Sequence, residues 1–92
     1  MTLLQPDLEL LRRAQAGDHP AFCEIMESYE GPIFNYVLRM LSGDRALAED
    51  MCQEVFLRVY QGLPGFNLRC RFTTWLFQVA KNRVLDELRA RG

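Results

Sequence analysis

Ala48-Glu49-Asp50-Met51-Cys52-Gln53-Glu54-Val55-Phe56-Leu57-Arg58-Val59-Tyr60 is the longest uninterrupted helical pattern in the chain, and it carries the tightest polar signature. Leu47, Met51, Val55 and Val59 recur every four residues, and Ala48 and Cys52 widen that stripe, so one face is expected to be buried. Asp44, after Gly43, is the expected N-cap, because its carboxylate can accept from free amides of the first turn. Glu49 and Asp50 add negative charge near the positive helix end. On the opposite side Asp50, Gln53 and Glu54 stand at i, i+3 and i+4, which gathers two carboxylates and an amide on one patch. That patch reads either as an acidic docking surface or as an ordinary wet face.

Upstream, Pro6 and Asp7 open a first short helix in which Leu8, Leu11 and Ala14 are expected to face inward, and Gly17 closes it. Asp18 then caps a second helix that tolerates Pro20 in its first turn and lines up Phe22, Ile25, Met26 and Tyr29. Gly31-Pro32 must interrupt or bend this helix, since proline lacks the amide and clashes with the preceding turn. Ile33, Tyr36, Val37 and Met40 resume the helical period, which ends at Ser42-Gly43. No alternating strand pattern of useful length appears. The expected fold is therefore all-α, a compact bundle of about four to five helices in one domain, with an ordered loop before the last helix.

Composition narrows the function classes. Ninety-two residues, 49% of them apolar, suit one small core and argue against a disordered tail. The net charge is −1, but residues 1–68 hold five Arg against ten Asp or Glu, and residues 69–92 hold six Lys or Arg against Asp86 and Glu87. This asymmetry fits an acidic front for a basic protein surface and a basic end for phosphate; the alternative is solvated helix faces with a chance bias. Cys23, Cys52 and Cys70 are odd in number, far apart and in no C-x-x-C arrangement, which reads as reduced thiols and gives no zinc site. His19, between Asp18 and Pro20, belongs to a capping loop. No apolar run approaches a membrane span and no signal-peptide core follows the N-terminus, so the expected location is the cytoplasm, with no membrane contact. No nucleophile, base and orienting residue converge, and no glycine-rich phosphate loop or metal-ligand set is visible, so neither an enzyme nor a cofactor is expected.

Beyond the central helix, Gly62-Leu63-Pro64-Gly65 ends the helical period, and the segment through Phe72 has neither helical nor strand regularity. Phe66 and Phe72 flank Asn67, Arg69 and Arg71 there. Rings, an amide and fixed cations are the parts needed to hold an unstacked base and its phosphates; equally, the two rings could pin the loop to the core. Thr73 or Thr74 can cap a last helix running from about 74 to 90, with Leu76, Val79, Ala80, Val84 and Leu88 buried and Phe77 at the edge. Gln78, Asn82 and Arg89 fall on another side, with Lys81 beside them and Trp75 near the start, an arrangement that can read base edges while cations meet phosphate. Arg83 projects toward the apolar side and can cover the core with its stem. Asp86 and Glu87 would repel phosphate, and Asp86 could pair with Asn82 or Lys81 to orient them.

The run AEDMCQEVFLRVY, followed by Phe66 and by FTTWLFQVAKNRVLDELR, resembles region 2 of bacterial sigma-70 family sigma factors, and most nearly their extracytoplasmic-function (ECF) group. The likeness extends from about Asp18 to Arg91, with two separate motifs in the right order. It implies that the helix at about 44–61 docks on the clamp coiled coil of the largest subunit of core RNA polymerase, through Asp50, Gln53 and Glu54, with Arg58 and Tyr60 at the margin. It implies further that the loop at about 62–73 and the last helix recognise the minus-ten promoter element, help melt it, and capture a flipped base of the nontemplate strand. Phe66, Asn82 and Gln78 match promoter-facing positions; Phe66, Asn67, Arg69, Arg71, Phe72, Trp75, Gln78, Lys81, Asn82 and Arg89 make up the expected DNA-binding set. Trp75 is either a support for the loop or a strand-separating wedge. Housekeeping sigma factors carry more aromatics here, and the difference favours narrow promoter choice.

A complete ECF factor would carry a second, helix-turn-helix domain (region 4) after a linker. The ending Arg89-Ala90-Arg91-Gly92 reads as a truncation near that linker, with region 4 absent. The resemblance also implies an anti-sigma factor as a partner. Two rival classes stand beside this reading: a duplex-DNA-binding regulator that works without polymerase, and a protein-interaction bundle whose last helix is only structural.

Overall fold

The computed structural model describes residues 4–92 and is helical throughout, with no strand among the described residues. Five α-helices follow in order: α1 (Leu8–Gln15), α2 (His19–Glu27), α3 (Glu30–Met40), α4 (Arg45–Gly62) and α5 (Phe72–Arg91), with a 3-10 turn at Leu63–Gly65 directly after α4. The caps form where the sequence places them. Asp7 accepts from Glu9 and Leu10 N–H, Asp18 from Ala21 N–H, and Asp44 from Leu47 N–H at 3.1 Å, each answering amides that the first turn leaves free. Gly17 closes α1 at φ +101°, and Ser42-Gly43 turn the chain after α3 at φ 56° and 85°, where Gly43 N–H donates to Leu38 O.

Helix α1 packs on α2, and α4 lies between α3 and α5, which also touch each other. The α4 stripe points into the centre: Ala48, Val55 and Val59 have no exposed surface, and Met51 very little. Ile33 and Val37 of α3 and Leu76, Ala80 and Val84 of α5 close over them. Each such branched side chain contributes roughly 1.5–3 kcal/mol by leaving water, so the meeting of these three helices dominates the fold's stability.

Four sequence expectations are corrected. Leu8 is exposed, because it is the first residue of α1 and lies outside the face that carries Leu11 and Ala14. The break between α2 and α3 falls at Ser28-Tyr29, ahead of Gly31-Pro32; Tyr29 is drawn into the core, and Pro32 sits in the first turn of α3, where its missing N–H costs nothing. Leu88 is 40% exposed, since the last turns of α5 run past the helices that could cover it. Finally, α5 begins at Phe72, ahead of Thr73 and Thr74, and neither threonine caps it. The cap comes from elsewhere: Gln5 Oε1 accepts from Thr73 N–H at 3.1 Å, and Gln5 Nε2 donates to Thr73 Oγ1 at 2.6 Å.

Candidate nucleic-acid and polymerase interfaces

The chain between the 3-10 turn and α5 is held in shape by its own short-range bonds. Asn67 Oδ1 accepts from Arg69 N–H at 2.9 Å and Asn67 O accepts from Cys70 N–H at 2.9 Å, a side-chain turn followed by a backbone turn. Between this loop and the start of α5 opens a cavity of about 540 Å³, within the range of small-ligand pockets. Phe66 and Trp75 supply its aromatic surface, Asn67, Arg71, Thr74 and Gln78 its polar groups, and Gly65 and Cys70 complete it.

The rings support one another. Phe66 and Trp75 lie 4.9 Å apart between centroids, and Phe72 stands 5.7 Å from Phe66, perpendicular to it, and 5.8 Å from Trp75. Behind them Tyr29 meets Phe72 at 5.8 Å. Such pairs add about 0.5–1.5 kcal/mol each beyond the area they bury. Phe72, 2% exposed, faces the core and does not line the cavity, because as the first residue of α5 it stands one turn before the fully buried Leu76. The reading that these rings pin the loop therefore holds for Phe72. Phe66, 8% exposed, pins the loop and lines the cavity at once. Trp75 is half-buried over Gly62, where an added Cβ would stand 3.1 Å from its Cζ2.

The expected DNA-facing residues do not all converge. Arg71 and Gln78 reach the cavity with Asn67, whereas Arg69 borders a separate cleft against Pro6, Leu8 and Leu11. Lys81 and Asn82 are exposed one turn beyond Gln78, so they extend the same side of α5 away from the cavity. Arg89 is exposed too, but its Nη1 lies 3.4 Å from Asp86. Asp86 pairs with Arg89 and, at 3.6 Å, with Arg58 of α4; it does not hold Asn82 or Lys81.

On α4, Asp50, Gln53 and Glu54 are all exposed on the outer face, and Leu57, 55% exposed, continues their stripe one turn later. The i+7 spacing from Asp50 to Leu57 was available in the sequence as a signal. Glu54 is also an internal partner: Arg83 Nη2 donates to Glu54 Oε2 at 2.7 Å and to Glu87 Oε1 at 3.1 Å. The Arg83 side chain is only 14% exposed, its stem covering the α4–α5 seam as the sequence indicates. Arg91 and then Arg83 hold the Glu87 carboxyl below the usual glutamate range through their hydrogen bonds. Tyr60 is part-exposed and packs edge-on against Phe22 at 5.1 Å and near His19, which places it at the α2–α4 junction.

Sequence reasoning missed two glutamines. Gln15, the last residue of α1, donates from Nε2 to Leu63 O at 3.0 Å and to Phe66 O at 2.7 Å, so both ends of the 3-10 turn hang on one side chain. Gln5 holds Thr73 at the other end of the loop. Neither position carries a local signal; their partners are 48 to 68 residues away. Among the described residues no His, Cys, Asp and Glu cluster could hold a metal ion, and no helix is long and apolar enough to cross a membrane.

The chain is thus a helical bundle with an acidic outer face on α4 and an aromatic, cation-bearing cavity at the start of α5. Residues 25–92 match Sigma-70 region 2, and the chain belongs to that sigma factor family. It stands in the ECF group: it is 35% identical over 79 residues to the ECF RNA polymerase sigma factor SigW of Bacillus subtilis, covering 86% of this chain and 42% of that protein. It is 34% identical over 87 residues to the ECF RNA polymerase sigma-E factor of Escherichia coli (94% and 44%), and 34% identical over its full 92 residues to the RNA polymerase sigma-H factor of Pseudomonas aeruginosa (47% of that protein). The chain thus spans less than half the length of these curated relatives. Among solved structures, the NMR structure of an engineered region 2 of sigmaE in complex with GTAAAA superposes with a TM-score of 0.86 at 30% identity, covering 100% of this chain and 95% of that one.

Proposed function

We propose that this chain is the part of an ECF sigma factor that docks on core RNA polymerase with the outer face of α4 and captures the nontemplate strand of the minus-ten element with the loop and α5. The observation that carries the reading is the cavity at the loop. Phe66 and Trp75 offer apolar faces to an unstacked base, Asn67 and Gln78 offer amides to its edge, and Arg71 offers a fixed cation to the neighbouring phosphate. Lys81 and Asn82, one turn further along α5, continue the path for the strand. A base held in this way cannot restack, so binding energy is converted into strand separation without covalent chemistry by this chain. Polymerase supplies the catalysis.

Asp50, Gln53 and Glu54 form the docking contacts, and their acidic character suits the basic coiled coil of the polymerase clamp. Arg58 and Tyr60 stand at the margin of that face, beside Asp86 and Phe22. An anti-sigma factor that covers either face would silence the domain.

Fluorescence anisotropy on labelled nontemplate oligonucleotides, with and without core polymerase, tests the assignment. Asp50→Ala/Glu54→Ala is expected to lose polymerase docking, and Phe66→Ala/Asn82→Ala to lose sequence-selective strand binding while docking persists. A wild-type chain that neither binds polymerase nor prefers any strand would refute the reading and leave a protein-interaction bundle in its place.

A further inference from the structure

The cavity has one wall made of loop backbone, and two side chains from the N-terminal segment grip that loop at its two ends. Gln15 holds Leu63 O and Phe66 O through one amide nitrogen, at 3.0 and 2.7 Å. Gln5 meets Thr73 with both of its amide atoms, accepting from the backbone N–H and donating to the hydroxyl. Its own stretch is anchored in turn, since Tyr29 Oη donates to Leu4 O at 2.6 Å. Phe66 and Thr74, on the cavity lining, are therefore a residue or less from a gripped position at either end. Both glutamines lie outside residues 25–92, the span that the family description matches.

We infer that Gln5 and Gln15 are positioning residues for base capture: the N-terminal segment is a strap that sets the width of the cavity by fixing the ends of the loop. The inference rests on the function proposed above. An amide suits this task, because one nitrogen can donate to two carbonyls that converge on it: Leu63 O, which also accepts from Phe66 N–H at 3.0 Å, and Phe66 O. Without the grip, the loop keeps its internal Asn67 turn but loses its registration on α5, and Phe66 no longer faces Trp75 at a fixed distance. A pre-set cavity binds with less ordering cost than one assembled by the strand itself.

The test uses the whole chain with core polymerase and two labelled single strands of equal length, GTAAAA and a scrambled order of the same bases. Gln15→Met keeps length and removes the donor; Gln5→Met does the same at the other end; Gln15→Lys restores an N–H donor. Affinity for GTAAAA is expected to fall about five- to tenfold in each Met variant, the scale of one or two neutral hydrogen bonds. The preference over the scrambled strand narrows, Gln15→Lys recovers most of it, polymerase docking stays close to wild type, and the melting temperature falls by no more than about 4–8 °C, the scale of the bonds removed. If the wild type binds GTAAAA selectively and both Met variants match it, the strap is refuted and the promoter reading stands. If selectivity, docking and melting temperature all fall together, the glutamines are only structural and the inference is likewise refuted. If the wild type prefers neither strand nor any other minus-ten sequence even with polymerase, the proposed function fails and takes the strap with it.

Discussion

Arg83→Met separates the two contributions that tie α5 to α4. The guanidinium donates through one nitrogen to Glu54 and Glu87, while the stem covers the seam between α4 and α5. Methionine keeps most of the stem's volume and removes the charge, so the loss reports on the ion pairs. Neither acid is stranded: the Glu54 side chain is 48% exposed and can take water, and Glu87 keeps Arg91 at 2.8 Å. The cost is therefore about 1 kcal/mol, as for a partly screened charged hydrogen bond, and well below the ~3–5 kcal/mol expected on breaking a sealed buried pair. For a domain of this size that lowers the melting temperature by about 4–8 °C. Arg83→Ala, which also gives up the stem, should lose more. Urea and thermal unfolding at low and high salt measure it, with the Arg83→Met loss shrinking as salt rises. A loss above about 3 kcal/mol in Arg83→Met, insensitive to salt, would show that the seam is sealed from water and that this reasoning is wrong.

Three further outcomes follow from local geometry. Gly62→Ala brings a Cβ to 3.1 Å from Trp75 Cζ2, so the ring must shift by a few tenths of an ångström; strand binding should weaken by on the order of 1 kcal/mol with polymerase docking kept, and an unchanged strand affinity would show that the ring yields freely. The Asp18 carboxyl is held low by the Arg13 guanidinium and then by Ala21 N–H, and Glu87 by Arg91 and then Arg83. Groups lowered in this way stabilise the fold fully above their unfolded values, about 4, and the benefit is lost as pH falls through the lower folded ones. Denaturation midpoints should hold from neutral pH to about 5 and then decline, more gently in Asp18→Asn/Glu87→Gln; an identical decline in that variant would assign the acid sensitivity elsewhere. Burial pushes the Cys52 thiol up, whereas Cys23 and Cys70 are exposed, so iodoacetamide at neutral pH should label Cys52 last by mass spectrometry; labelling of Cys52 first would contradict its half-buried placement.

What the sequence determined by itself rests on interactions that close within one or two turns. The caps at Asp7, Asp18 and Asp44 each reach an amide two or three residues ahead, and the stripe Met51, Val55, Val59 repeats with the helix period, so both can be read from spacing alone. The exposed set Asp50, Gln53 and Glu54 was legible for the same reason, as was the aromatic and basic make-up of the loop. Which way the loop's rings turn was not. Phe72 and Phe66 have the same composition-level signal, yet the start of α5 sends one into the core and leaves the other on the cavity wall. Arg69 and Arg71 are two residues apart and still part company, Arg69 bordering only the cleft on α1. The pairing of Glu54 with Arg83, of Asp86 with Arg58, and the grip of Gln5 and Gln15 on the loop join positions 28 to 68 residues apart. Such contacts depend on how whole helices are set against each other, and a side chain's periodicity within its own helix holds no information about what the next helix brings to meet it.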